Sequence, residues 1–267
     1  MNLQIDTFAY TNRLRRLPPE SKLLFAIVLL LITYFSTILV QCLIAAWIGI
    51  WIIIYAKIPA SVYLRLLSVP IVFWLTSLPA FVISFTPLQD LVTITQDAAY
   101  GITVFSHFAY ISHQGIDQSV RLLSQTIAST SCLYFVLLTV PFTDILQTLR
   151  RIGFPVLLTE LLLLMYRFIF VLLQIAHELW TAQLCRGGYR TWKLSMNSLG
   201  LLIGQLLQRT LDHYHRISQS LESRGGAGEF RVWHSRQYHL PDRYRLESLF
   251  GCVTLIGLTG WAYVHGI

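Results

Sequence analysis

Two short stretches of this sequence carry the residue types best suited to gripping another molecule. Cys185-Arg186-Gly187-Gly188 and Ser223-Arg224-Gly225-Gly226 each set an arginine between a small residue and two glycines, 38 positions apart. A guanidinium offers a rigid fork of donors that matches a carboxylate in two hydrogen bonds, and a neighbouring glycine lets a partner's backbone approach closely. Glycine also stops a helix by taking a left-handed conformation, and a preceding cation complements the negative end of the helix dipole. Taken singly, each stretch is accounted for by helix termination. Their duplication in one chain points to a docking device with two prongs.

No competing chemistry is written in the sequence. It lacks a Walker A glycine loop, HExxH, GxSxG and a paired-aspartate signature, so neither an enzyme nor a cofactor site is expected. Of the eight histidines only His213 and His215 are close, and two residues apart on a helix they point away from one another. The four cysteines, Cys42, Cys132, Cys185 and Cys252, show no CxxC and no histidine beside them. They read as small core residues rather than as metal ligands or disulfides. Arg121 and Arg167 stand at the edge and middle of apolar runs, where a charge is expensive. The expectation is a snorkelling Arg121 and an Arg167 paired within a helix bundle.

The elements that must position the two arginines follow from composition. Of 267 residues 55% are hydrophobic and only 12% charged, and the mean hydropathy is +0.58. These values exclude an ordinary soluble domain and imply an all-α integral membrane protein in contact with the lipid bilayer. Its excess of 20 basic over 13 acidic residues reports orientation rather than a nucleic-acid partner. Five apolar runs are long enough to span: Leu23 to Val40, Cys42 to Ala56, Leu64 to Phe85, Leu122 to Val140 and Leu246 to Val264. A polar and basic stretch before the first run sets it apart from a cleaved signal peptide.

Lysine and arginine gather on the cytoplasmic side of a membrane. Arg13, Arg15, Arg16 and Lys22 precede the first span, and Lys57 and Arg65 lie between the second and third. These segments, with the N-terminus, are expected in the cytoplasm. The loop from Pro87 to Asp117 contains three aspartates and no Lys or Arg, so it is expected outside, with room for a short interfacial helix around Ile102 to Ile111. Thirteen basic residues lie from Arg150 to Arg245, which assigns that whole region to the cytoplasm. Leu161 to Trp180 is apolar enough to cross, yet crossing would put Arg150 and Arg151 on one side and Arg186, Arg190 and Lys193 on the other. Its polar residues Glu160, Arg167, Gln174 and Thr181 draw one stripe at heptad spacing, the pattern of a helix packed in protein or half-sunk at the interface. A second long helix, from about Leu194 to Arg224, sets Ile203, Leu207, Leu211, Tyr214, Ile217 and Leu221 on one face. Before both comes a short helix in Pro141 to Pro155, with Thr143 as N-cap and Gly153 as stop.

Three segments together give a family resemblance: "IDTFAYTNRLRRLPPESKLLFA", "VPFTDILQTLRRIGFPVLLTELLLLMYRFIFVL" and the pair of arginine-glycine motifs. The sequence resembles the transmembrane T components of energy-coupling factor (ECF) transporters, most closely their cobalt branch, CbiQ. The resemblance covers most of the chain. It implies a bacterial inner-membrane protein without catalysis or cofactor, joined to two cytoplasmic ABC ATPase subunits and to a membrane-embedded substrate-capture subunit. It also implies that two long coupling helices each end in an Ala-Arg-Gly motif whose arginine enters a groove on one ATPase. Here those positions are Cys185-Arg186-Gly187 and Ser223-Arg224-Gly225, with cysteine and serine in place of alanine; both are small, so the close approach is kept. The expected organisation is transmembrane helices over 1–142, coupling helices over 143–225, a linker over 226–245 and a last transmembrane helix over 246–267. Cobalt is the cargo that the branch implies. Nickel, biotin or other vitamins, or a membrane scaffold without ATPases, are the alternatives.

Overall fold

A computed structural model describes residues 4–87, 98–104, 107–223 and 242–265. The chain separates into two compact units, one of Met1–Pro141 with Gln237–Ile267 and one of Phe142–Arg236.

The first unit begins with α1 (Gln4–Thr11) and a 3-10 turn (Arg13–Arg16). Leu14 and Leu17 are buried beneath this turn while Arg13, Arg15 and Arg16 remain exposed. Three membrane-type helices follow: α2 (Pro19–Phe35), α3 (Ile38–Ile50), which ends in a π-helical turn (Trp51–Tyr55), and α4 (Ala60–Val82). The long α5 (His113–Thr139) packs against α1, α2, α3 and α4, and α9 (Asp242–His265) closes on α2 and α3. Proline at the start of α2 suits a first helical turn, where no donor is needed.

Apolar burial and a few satisfied polar groups hold this unit. Trp51 lies 5.3 Å from Phe25, stacks on Tyr55 at 4.7 Å and meets Phe135 edge-on at 6.4 Å. Tyr244 of α9 joins the cluster at 6.2 Å from Trp51. Deeper in the unit, Gln41 donates to the carbonyls of Thr33, at 3.2 Å, and Ser36, at 3.1 Å, and accepts a hydrogen bond from Ser124. That knot satisfies the carbonyls freed where α2 turns into α3, a necessity where no water competes. At the other end Lys22 Nζ donates to Thr139 O at 3.1 Å, and Asn12 Nδ2 to Leu138 O at 3.2 Å. The outward faces of the helices are apolar: Leu24, Ile27, Leu31 and Phe35 of α2 are all more than half exposed, as expected of lipid-facing positions.

The loop expected to face outward differs from its sequence reading. Where the sequence left room for a short helix around Ile102 to Ile111, the chain forms an antiparallel sheet of β1 (Ile83–Pro87), β2 (Ala98–Val104) and β3 (His107–Ser112), in the order β1-β3-β2. Ile83 stands opposite Ile111, and Val104 opposite His107. The segment is rich in aromatic and β-branched residues, which favour strands. For the same reason the third span ends at Val82, three residues before the expected Phe85.

Among the described residues five helices are long and apolar enough to cross a membrane: Ile38–Tyr55, Ala60–Val82, Gly115–Thr139, Val156–Cys185 and Leu246–Val264. The protein is thus a multi-pass α-helical membrane protein. The set is not the one read from the sequence. Pro19–Phe35, at 17 residues, is shorter than these, and Val156–Cys185, which the charges keep on one side, is among them.

In the second unit α6 (Phe142–Arg151) packs on α7 (Val156–Cys185), and α7 on α8 (Trp192–Ser223). Phe142 stacks on Tyr166 at 4.7 Å. Thr143 lies inside α6 rather than capping it, because the helix begins one residue earlier, and its hydroxyl donates to Asp144 Oδ1 at 3.4 Å. Gly153 does end α6, in the left-handed region at φ 106°. Within its own unit α7 packs on α6 and α8 but leaves Leu157, Leu161, Met165, Ile169 and Leu173 exposed. Arg167, expected to be paired within the bundle, is exposed too.

Candidate functional site

The site is built at the end of α7, a helix of 30 residues. The last turn closes with the two hydrogen bonds of a Schellman motif. The N–H of Gly188 donates to Gln183 O at 2.9 Å and the N–H of Gly187 to Leu184 O at 3.0 Å. Gly187 has φ +71°, a conformation that penalises any side chain, so the first glycine after the arginine is the helix stop. Arg186 is the capping residue, at φ −87° and ψ 6°, with Cys185 before it as the final helical residue. Both side chains are exposed. A guanidinium here faces solvent at the negative end of a long helix, which favours the cation and leaves its fork free of helix packing.

Gly188 has a different role from its neighbour. A Cβ on it would stand 2.6 Å from Ser198 Oγ and 3.1 Å from Gln183 O, so glycine here makes room for the Ser198 hydroxyl to reach the turn. Ser198, buried in α8, donates to Gly188 O at 2.9 Å. On the opposite side Tyr189 stacks on Trp180 at 5.4 Å and donates its hydroxyl to Gln183 Oε1 at 2.8 Å. The turn is pinned from α7 and from α8, and Arg186 is presented from a fixed backbone. The sequence reading singled out Cys185, Arg186 and Gly187 but passed over Tyr189 and Ser198. An aromatic residue directly after the double glycine was the available signal for the first; nothing in the spacing marked the second.

Ser223 is the last residue of α8, exposed, with its hydroxyl bonded to Ser220 O at 3.0 Å. Arg224 and Gly225, the other two residues assigned to the second prong, lie outside the described residues.

Residues with other possible chemistry are scattered. His213 packs edge-on against Phe168 at 5.9 Å, while His215 is exposed beside Tyr214. Among the described residues no group of three or more His, Cys, Asp or Glu side chains is close enough to hold a metal ion. The cysteines are all free, and only Cys132 is buried; Cys252 is half-buried, and Cys42 and Cys185 are exposed, so these last two are not core residues. Two acceptor atoms of the second unit, Gln147 Oε1 and Glu160 Oε1, are buried without a hydrogen-bond partner among the described residues.

Residues 11–234 match the model of a family described as cobalt transport protein, CbiQ. The chain is 27% identical over 229 residues to an uncharacterized protein of Methanocaldococcus jannaschii, covering 85% of this chain and 82% of that one. It is 30% identical over 221 residues to a putative fused cobalt transport protein CbiMQ of Methanocorpusculum labreanum, covering 82% of this chain and 36% of the fused protein. It is 24% identical over 231 residues to the cobalt transport protein CbiQ of Salmonella typhimurium, covering 85% of this chain and 99% of that one. The long apolar helices and the pinned arginine turn therefore belong to a membrane component of a transporter, and the chain is a member of the CbiQ family of cobalt transport proteins.

Proposed function

We propose that the chain is the energy-coupling T component of an ECF-type ABC importer for cobalt ions. In this reading it carries the movement of two cytoplasmic ATPases to a membrane-embedded capture subunit and performs no covalent chemistry itself. The observation that carries the reading is the turn at Arg186. An exposed guanidinium is displayed from a doubly hydrogen-bonded helix stop, tied to α8 through Ser198, and the second helix ends in the same small-Arg-Gly order. A prong on a mobile loop would yield under load, whereas one clamped between two long helices passes displacement on. At about 1.5 Å per residue α7 is long enough to reach roughly 45 Å from its arginine.

The basic residues around α1, around Lys57 and from Arg150 onward support a cytoplasmic N-terminus and a cytoplasmic second unit; a bacterial inner membrane is the location that the resemblance implies. The fused CbiMQ relative supports a second membrane protein held beside this one. Cargo choice belongs to that partner, and cobalt rests on the family.

The test is to replace Arg186 and Arg224 with alanine or glutamate, singly and together, in the assembled transporter, and to measure ATPase co-purification and cobalt uptake. The double variant is expected to insert normally and to lose both. Unaltered uptake in the double variant would sink the docking reading.

A further inference from the structure

Past Gly188 the chain carries more recognition chemistry than a connection between helices needs. Tyr189 turns inward, onto Trp180 and Gln183. The residues after it do the opposite. Arg190 is exposed, with its N–H bonded to Gly187 O at 3.3 Å. Trp192, the first residue of α8, is 79% exposed, on a helix start where Thr191 Oγ1 accepts the Leu194 N–H at 3.4 Å. An aromatic ring offers roughly 150–250 Å² of surface to bury, and leaving an indole in water on a fixed backbone is wasteful unless something covers it. Arg186, Arg190 and Lys193 are three exposed cations in the same short stretch, and between Glu178 and Asp212 the chain has no acidic residue at all.

The amino-acid sequence supplies an independent observation. Tyr189-Arg190-Thr191-Trp192 follows the first Arg-Gly-Gly directly, and Phe230-Arg231-Val232-Trp233 follows the second after three further residues, Ala227-Gly228-Glu229. The order aromatic, arginine, any residue, tryptophan thus recurs shortly after each docking arginine, at six and nine positions from arginine to tryptophan; the second copy lies outside the described residues. A lone solvent-exposed ion pair adds little to binding, while interface energy concentrates on buried Trp and Arg. An arginine asked to transmit force needs an apolar anchor beside it.

We propose that Arg190 and Trp192 form one docking module with Arg186, and that its partner surface is an acidic groove edged by an apolar slot on a cytoplasmic ATPase. The indole fills the slot, and the cations set register and steer encounter. The inference rests on the docking role proposed for Arg186. A bilayer surface is the rival for the same side chains, because indoles and cations also suit an anionic headgroup region. The repeat after each Arg-Gly-Gly, and the clamping of the turn by Tyr189 and Ser198, favour the protein partner.

The experiment uses the full-length protein in nanodiscs of phosphatidylethanolamine and phosphatidylglycerol, with its two cognate ATPase subunits purified. Binding is measured at low and high salt for Arg186→Ala, Arg190→Glu, Trp192→Ala and Trp192→Phe. Trp192→Ala and Arg190→Glu are each expected to weaken binding by about tenfold or more, with Trp192→Phe recovering most of it and Arg190→Glu flattening the salt dependence. Loss with Arg186→Ala but normal binding by both Trp192→Ala and Arg190→Glu overturns the module and leaves the docking reading standing. Normal binding by Arg186→Ala overturns the docking reading and the module with it. In the unmutated protein, hydrogen exchange at 189–193 is expected to slow when the ATPases are added. Slowing only on transfer from detergent to nanodiscs would assign the indole to the bilayer and overturn the module.

Discussion

Ser198 Oγ donates a 2.9 Å hydrogen bond to the carbonyl of Gly188, and with it the first turns of α8 are fastened to the turn that displays Arg186. The distance is possible only because residue 188 has no side chain. A glycine that looks in sequence like a spare helix stop is a point of helix contact, and the neighbouring Gly187 is the one that stops the helix.

The two glycines therefore fail differently when replaced. Gly188→Ala turns the Ser198 hydroxyl away and breaks its bond to the Gly188 carbonyl, which should cost about 0.5–1.5 kcal/mol, the usual net worth of a hydrogen bond. Gly187→Ala leaves the contact intact and strains the backbone, for about 1–2 kcal/mol. Gly200, with nothing within 4 Å of its Cβ direction, is the control; Gly200→Ala in the exposed helix should gain roughly 0.5–1 kcal/mol. Thermal unfolding in detergent reads all three. If Gly188→Ala matches Gly200→Ala, the Ser198 bond adds nothing to the turn.

The polar knot at Gln41 gives a second prediction, confined to the membrane unit. Gln41 joins Thr33, Ser36 and Ser124 within apolar surroundings. Removing it by Gln41→Leu takes the Gln41 donor from the Ser36 and Thr33 carbonyls and the acceptor from Ser124; Thr33 O keeps Ser36 Oγ and Ser124 Oγ keeps Arg121 O, so the buried Ser36 carbonyl carries most of the loss, about 1–3 kcal/mol. Ser124→Ala removes one bond and should cost nearer the roughly 0.6 kcal/mol average for side-chain bonds between membrane helices. Equal effects of the two variants on the unfolding midpoint would contradict this ranking.

How much of this was legible beforehand depends on whether a feature is local. Helix stops at Gly153 and Gly187 follow from chain chemistry, and the structure puts left-handed glycines at both. The second long helix was read from periodicity and came within about two residues of its ends, while the apolar run Leu161 to Trp180 lies inside a helix five residues longer at each end. The sheet at 83–112 was not read, because a short apolar run without a firm period suits either structure. Pairing between β1 and β3 joins residues far apart in the chain, which no window reveals. At the site, Arg186 was visible as an oddity of composition. Ser198 was not, since its role depends on α8 folding back.

Gly251 offers a test of how α9 joins the membrane unit. A Cβ there would stand 2.7 Å from the indole of Trp47, so Gly251→Leu should push α9 away from α3. Forcing a large side chain into a packed helix interface costs on the order of 1–3 kcal/mol. Gly257→Leu, where nothing lies within 4 Å, should leave stability close to that of the parent. Protease accessibility of the C-terminal helix and the unfolding midpoint should separate the two variants; equal behaviour would refute the close approach of α9 to Trp47.

The placement of α7 decides whether Arg186 can meet a cytoplasmic partner at all. Its length and hydropathy suffice to cross a bilayer, since about 20 residues suffice for a hydrocarbon core of roughly 30 Å. Charge argues the other way, because crossing would separate Arg150 and Arg151 from Arg186, Arg190 and Lys193. Cys185 is an exposed free thiol at one end of the helix, and Phe154 is exposed just before the other. With Cys42, Cys132 and Cys252 replaced by alanine, a membrane-impermeant maleimide should label Cys185 in inverted vesicles and not in intact cells. A Phe154→Cys variant lacking Cys185 should label with the same sidedness. Opposite sidedness would mean that α7 spans the membrane, and if Cys185 were the outer end, no cytoplasmic ATPase could receive Arg186.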